Sequence, residues 1–83
     1  MTLKEVLTLH MGRTPGSRGI VLDAWLRDEY GVTRWTWRRI VSGQLAPSRK
    51  LLDRIFAVHR ARVGGRLSLR YSVGPYEFRV TST

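Results

Sequence analysis

Apolar side chains recur every three to four residues through most of the chain and every second residue near its end. Leu3, Val6, Leu7 and His10 or Met11 fall on one side of a helix spanning about residues 3–11. Thr2 and Glu5 form a T-x-x-E capping box, in which each side chain satisfies the other's free backbone donor. Gly12 is the expected stop. The stretch from Gly12 to Gly19, which includes Pro15, reads as a loop, because Gly and Pro interrupt both helix and strand. A second helix is expected over about 18–30, with Val21, Leu22, Trp25, Leu26 and Tyr30 as its apolar positions. Gly31 ends it, since glycine takes positive φ without penalty. Thr33 is placed to cap a short helix over 34–41, closed by Ser42-Gly43. Ser48 is placed to cap a longer one over 49–62, closed by Gly64-Gly65.

Beyond Gly65 the period falls to two. Leu67, Leu69, Tyr71 and Val73 alternate with Arg66, Ser68, Arg70 and Ser72, and Tyr76, Phe78 and Val80 alternate with Glu77, Arg79 and Thr81. This predicts a hairpin of strands at about 66–73 and 76–82, turning at Gly74-Pro75. Pairing Val73 with Tyr76, Tyr71 with Phe78 and Leu69 with Val80 gathers the large apolar residues on one face. The expected fold is therefore α+β: one domain over 1–83, four helices followed by a C-terminal β-hairpin.

Charge narrows the function. Fifteen Lys and Arg against six Asp and Glu leave a net charge of +9, and thirteen of the fifteen are Arg. Such a balance points to a polyanion, nucleic acid first and an acidic membrane surface second. Apolar content of 42% is too high for a disordered basic tail. The chain has no cysteine, which excludes disulfides and thiolate metal sites. No run of about 20 apolar residues spans a membrane, and Met1–Glu5 lacks an apolar signal core, so a cytoplasmic protein is expected.

The informative segment is Leu26–Ile55. Val32, Trp37 and Ile40 lock the short helix against the one before it, which leaves Arg34, Trp35, Arg38 and Arg39 outward. Arginine suits that position, because its planar fork matches guanine O6 and N7. A plain αα-hairpin is the competing reading of Gly-Val-Thr between two helices. Gly31-Val32-Thr33 through Gly43, followed by Pro47-Ser48 and Leu51-Leu52-x-x-Ile55, resembles the Xre/lambda-repressor-like helix-turn-helix, which typically reads G-V-S-x-x-T-I-S-x-I-x-x-G, then P-S and a leucine-bearing helix. In overall layout the chain looks closest to phage Cro-type repressors. Two departures stand out. Arg27 occupies a position usually held by a small residue, and no Gln opens the first motif helix near Leu22-Asp23, which leaves Arg18 as the substitute phosphate contact.

The resemblance implies base reading by Arg34, Trp35, Thr36 and Arg39, flanked by Arg38. It implies phosphate contacts from Thr33, Gln44, Ser48 and Arg49; position at the helix start adds Lys50. Trp35 either touches a thymine methyl or sugar or packs on a neighbouring Arg. Arg54, Arg60 and Arg62 are candidates for a solvated helix face or for further phosphate contacts. Tyr76, Phe78 and Val80 on the terminal strand are expected to pair with a twin, as in Cro-like proteins. The function implied is a sequence-specific transcriptional regulator, a phage or prophage repressor bound as a homodimer to a palindromic operator in double-stranded DNA. An excisionase-like architectural protein and an antitoxin or inhibitor acting on a protein partner are the alternatives. No catalytic group, cofactor, metal or small-molecule ligand is expected: the serines lack a neighbouring base, and His10 and His59 sit on different helices with no partner at ligand spacing.

Overall fold

The computed structural model describes residues 1–70 and 77–81. Helices α1 (Leu3–Arg13), α2 (Leu22–Tyr30), α3 (Arg34–Val41) and α4 (Arg49–Arg62) precede strands β1 (Arg66–Arg70) and β2 (Glu77–Thr81). Among the described residues, helix dominates.

The capping residues lie where their chemistry placed them. Thr2 Oγ1 accepts from the Glu5 N–H, Thr33 Oγ1 from the Thr36 N–H and Ser48 Oγ from the Leu51 N–H, each at 3.1–3.2 Å. Each bond satisfies one of the donors that a helix start leaves free. Gly31, at φ 70°, returns its N–H to the Arg27 carbonyl and turns the chain sharply from α2 toward α3.

Helix α1 does not stop at Gly12 but runs on to Arg13. A single exposed glycine is tolerated in a helix. The end is set by Pro15, which forces Thr14 into extended backbone (ψ 133°). Thr14 then closes the helix by donating from its N–H to the Met11 carbonyl and from Oγ1 to the His10 carbonyl.

Helix α2 starts at Leu22, four residues later than the periodicity suggested. Gly16 at φ 75° leads into a single 3-10 turn, Ser17–Gly19, and the β-branched pair Ile20-Val21 is extended. Ile20 thereby packs on the core. Val21, expected inward, is 67% exposed instead, because it stands as the N-cap outside the helical face.

Leu3, Val6 and Leu7 of α1, Trp25, Leu26 and Tyr30 of α2, Trp37 and Ile40 of α3, and Leu51, Ile55 and Val58 of α4 make one buried cluster. Val32 plugs the α2–α3 turn against it, and Leu67 of β1 packs on its edge. Tyr30 is the aromatic hub. It meets Trp25 edge-on at 5.3 Å and stacks on Trp37 at 5.7 Å with an 8° interplanar angle. It thus couples α2 directly to α3.

The strands pair antiparallel, with Leu67 opposite Val80 and Leu69 opposite Phe78. The expected pairs, Leu69 with Val80 and Tyr71 with Phe78, are therefore displaced by two residues. An offset of two is one full period of a strand, so it keeps the alternation of the apolar positions and leaves the pattern unable to choose between the registers. The turn placed at Gly74-Pro75 lies outside the described residues, as do Tyr71, Val73 and Tyr76.

Candidate functional site

Helix α3 is short and two-faced. Trp37 and Ile40 are buried. Arg34, Arg38 and Arg39 are exposed, and Trp35 is 71% exposed, far more than an indole retains in a packed interior. Thr36 is half-buried, and its hydroxyl accepts a hydrogen bond from Thr33 at 3.1 Å, so the pair faces itself as well as solvent. Helix α3 contains no acidic residue.

Packing brings further cations to this face. Lys4 of α1 joins Arg34 and Arg38 around a groove of about 530 Å³ floored by Leu7, Leu22, Trp37 and Val41. Lys4 carried no signal in the sequence, since it is the docking of α1 that sets it beside α3. Arg27, flagged for its bulk, is exposed and lines a separate hollow of about 300 Å³ with Asp23, Thr33, Arg34 and Trp35. Its side chain is directed outward, so it does not wedge the two helices apart.

The expected phosphate contacts divide by location. Ser48 and Lys50, at the start of α4, share a cleft of about 640 Å³ with Arg27 and Asp28 of α2, Gly31 and Val32 of the α2–α3 turn, and Asp53. That cleft places the α4 N-terminus beside the turn. Arg49 is exposed and pairs with Asp53 one turn on, at 3.1 Å. An exposed i,i+4 pair of this kind is worth only about 0.3–0.5 kcal/mol. Gln44 is exposed in the loop after α3, where its N–H is held by the Arg39 carbonyl. Arg18 is exposed in the 3-10 turn before α2. Phe78 and Val80 lie on β2 opposite Leu69 and Leu67, and Tyr76 is outside the described residues.

Two arginines of α4 are committed to the fold. Arg54 donates from Nε to the Glu29 carbonyl and from Nη2 to the Asp28 carbonyl, closing the acceptor-rich end of α2. Arg62 Nη2 donates to Glu29 Oε1 at 2.9 Å, with both side chains mostly covered. Neither is a free cation on a solvated face, and the helix pattern could not show this, because their partners lie on another element.

The histidines carry the largest surprise. His10 and His59 are each fully buried, and His10 Nε2 lies 2.8 Å from His59 Nδ1. The other nitrogen of His10, Nδ1, lies 2.6 Å from the Tyr30 hydroxyl. Neither has a partner at ligand spacing along the chain, yet in space each is the other's partner, across 49 residues. Burial and the neighbouring His59 lower the pKa of His10 to about 4, and burial lowers that of His59. Burial, with Glu29 nearby, raises that of Tyr30. All three groups are neutral at pH 7. The two facing nitrogens share one hydrogen bond, so they do not converge on a common metal position. Among the described residues, no group of three or more His, Cys, Asp or Glu is placed to hold a metal ion.

No family model matches the chain, and no curated protein or solved structure is significantly similar to it. The site must be read from its own chemistry. It offers a convex helix face with an exposed indole and three guanidinium groups, flanked by Lys4 and Arg27 and by the α4 N-terminus. Such a surface offers many donors to a polyanion. No helix among the described residues is long and apolar enough to cross a membrane.

Proposed function

We propose that this protein is a sequence-specific DNA-binding transcriptional regulator, a Cro-like phage or prophage repressor acting on operator DNA in the host cytoplasm. In this reading α2, the Gly31 turn and α3 form a helix-turn-helix, with α3 in the major groove. The observation that carries it is the division of α3 into a buried Trp37/Ile40 side and an exposed side bearing Arg34, Trp35, Arg38 and Arg39. Arg34 and Arg39 are the candidates for guanine edges, and Trp35 for a thymine methyl. Thr33, Gln44, Ser48, Arg49, Lys50 and Arg18 are the candidates for phosphates, which set register and carry no sequence information. The paired strands are read as a hairpin completing an α+β fold, and Tyr76, Phe78 and Val80 as the edge that joins a second copy. A homodimer matches a palindromic operator, and repression follows from occluding a promoter. The reading needs no cofactor, metal or catalytic group.

The experiment is selection of bound duplexes from a randomised pool, followed by titration of the enriched duplex across salt. A palindromic enriched sequence is expected. If about 6–10 phosphates are neutralised, affinity falls by about 10³–10⁵ between 50 and 200 mM salt. No enrichment together with a flat salt dependence rejects DNA as the partner.

A further inference from the structure

Asp23 is the carboxylate at the edge of the α3 cationic face. Its Oδ1 lies 3.8 Å from Arg34 Nη1, and both side chains are about half exposed, at 55% and 48%. The two residues stand at the first turns of α2 and α3 and share the hollow walled by Arg27, Thr33 and Trp35. The other two acidic residues in ion pairs among the described residues, Asp53 and Glu29, face Arg49 and Arg62 on α4. An acid next to the surface offered to a polyanion costs affinity for every duplex, so its presence there calls for a reason.

We infer that Asp23 is a specificity-determining residue that keeps Arg34 off phosphates and reserves it for a neutral base edge. The inference rests on the DNA-binding reading above. A guanidinium has five donors in a fixed fork. Two of them satisfy guanine O6 and N7, and others stay turned to Asp23, so a guanine contact and the ion pair coexist. A phosphate reaching the same guanidinium brings its own negative charge up to the Asp23 carboxylate. Either the ion pair breaks or two anions sit together, and both outcomes weaken the contact. Asp23 thus penalises the contact any duplex offers and spares the one a guanine offers. Specificity here arises from a repulsive element placed beside an attractive one.

The test compares wild type with Asp23→Asn, in the full chain and again in an Arg34→Ala background, on the selected duplex and on a scrambled duplex across salt. In Asp23→Asn, Arg34 gains a phosphate. The salt slope on scrambled DNA then steepens by about one, and scrambled binding tightens several-fold. Guanine preference at the position lost in Arg34→Ala drops. In the Arg34→Ala background Asp23→Asn leaves the slope unchanged, because Asp23 acts through Arg34. Asp23→Glu restores the wild-type slope, which a purely structural role for Asp23 would not demand. The inference is overturned if Asp23→Asn leaves slope and base preference as in wild type, or changes them equally without Arg34. Wild type that binds no duplex in a salt-dependent way removes the DNA-binding reading itself, and that result appears before any variant is compared.

Discussion

His10 Nε2 and His59 Nδ1 face each other at 2.8 Å in the interior, and Tyr30 completes the chain through His10 Nδ1 at 2.6 Å. The three residues come from α1, α4 and α2, and Tyr30 in turn stacks on Trp37 of α3. Hydrogen bonds therefore join three helices, and the ring stack carries the connection on to the helix that bears the candidate site. One added proton can be accommodated by the hydrogen bonds, but not as a charge. The groups in contact are neutral, and Glu29, the acid whose charge acts on Tyr30, is already paired with Arg62. Two added protons would set two N–H donors against each other.

Acid stability follows from the direction of these shifts. His10 is held at about 4 and His59 is also lowered, both from an ordinary 6.5. The unfolded chain therefore takes up protons first as pH falls. Stability is fully present above about pH 6.5 and declines below it, by up to about 1.4 kcal/mol per pH unit for each histidine, until the folded-state pKa is passed. Thermal melts between pH 8 and 4.5 check this. A melting temperature that stays flat from pH 6.5 to 5 refutes it.

Tyr30→Phe removes the hydroxyl and leaves His10 Nδ1 buried without its partner. The expected cost is about 1–3 kcal/mol, although the ring and both aromatic contacts remain. Urea denaturation measures it. A change below about 0.5 kcal/mol means the hydroxyl contributes nothing net.

The two tryptophans of α3 should separate stability from binding. Trp37→Ala empties a buried site beside Tyr30 and Ile40 and is expected to cost about 3–5 kcal/mol, enough to unfold a small domain. Trp35→Ala, at a position 71% exposed, is expected to shift stability by less than about 0.5 kcal/mol and to weaken duplex binding. Calorimetry and binding titrations on both variants decide. Equal destabilisation by the two contradicts the assignment of faces.

Arginines on α3 and cations on α4 should differ in kind. Arg34→Ala or Arg39→Ala is expected to cost about 1–3 kcal/mol on the selected duplex and to relax one position per half-site. Arg49→Ala or Lys50→Ala should weaken selected and scrambled duplexes alike and lower the salt slope by about one. If both α3 variants lose selected and scrambled binding equally, α3 is an electrostatic handle without base reading.

What the residues determined by themselves is local. Thr2, Thr33 and Ser48 cap helices because each oxygen accepts from the N–H three residues on and needs no distant partner. Gly31 turns the chain because it alone among its neighbours takes a left-handed backbone without cost. The outward Arg34–Trp35–Arg38–Arg39 side of α3 follows from the 3.6-residue period once Trp37 and Ile40 are inward. Tertiary structure decided everything that pairs one element with another. Periodicity states which face is buried and not what it is buried against, so it could not join His10 to His59, Asp23 to Arg34, or Arg54 and Arg62 to the end of α2. Nor could an alternation of period two distinguish Leu69 opposite Phe78 from Leu69 opposite Val80, since both registers satisfy it equally.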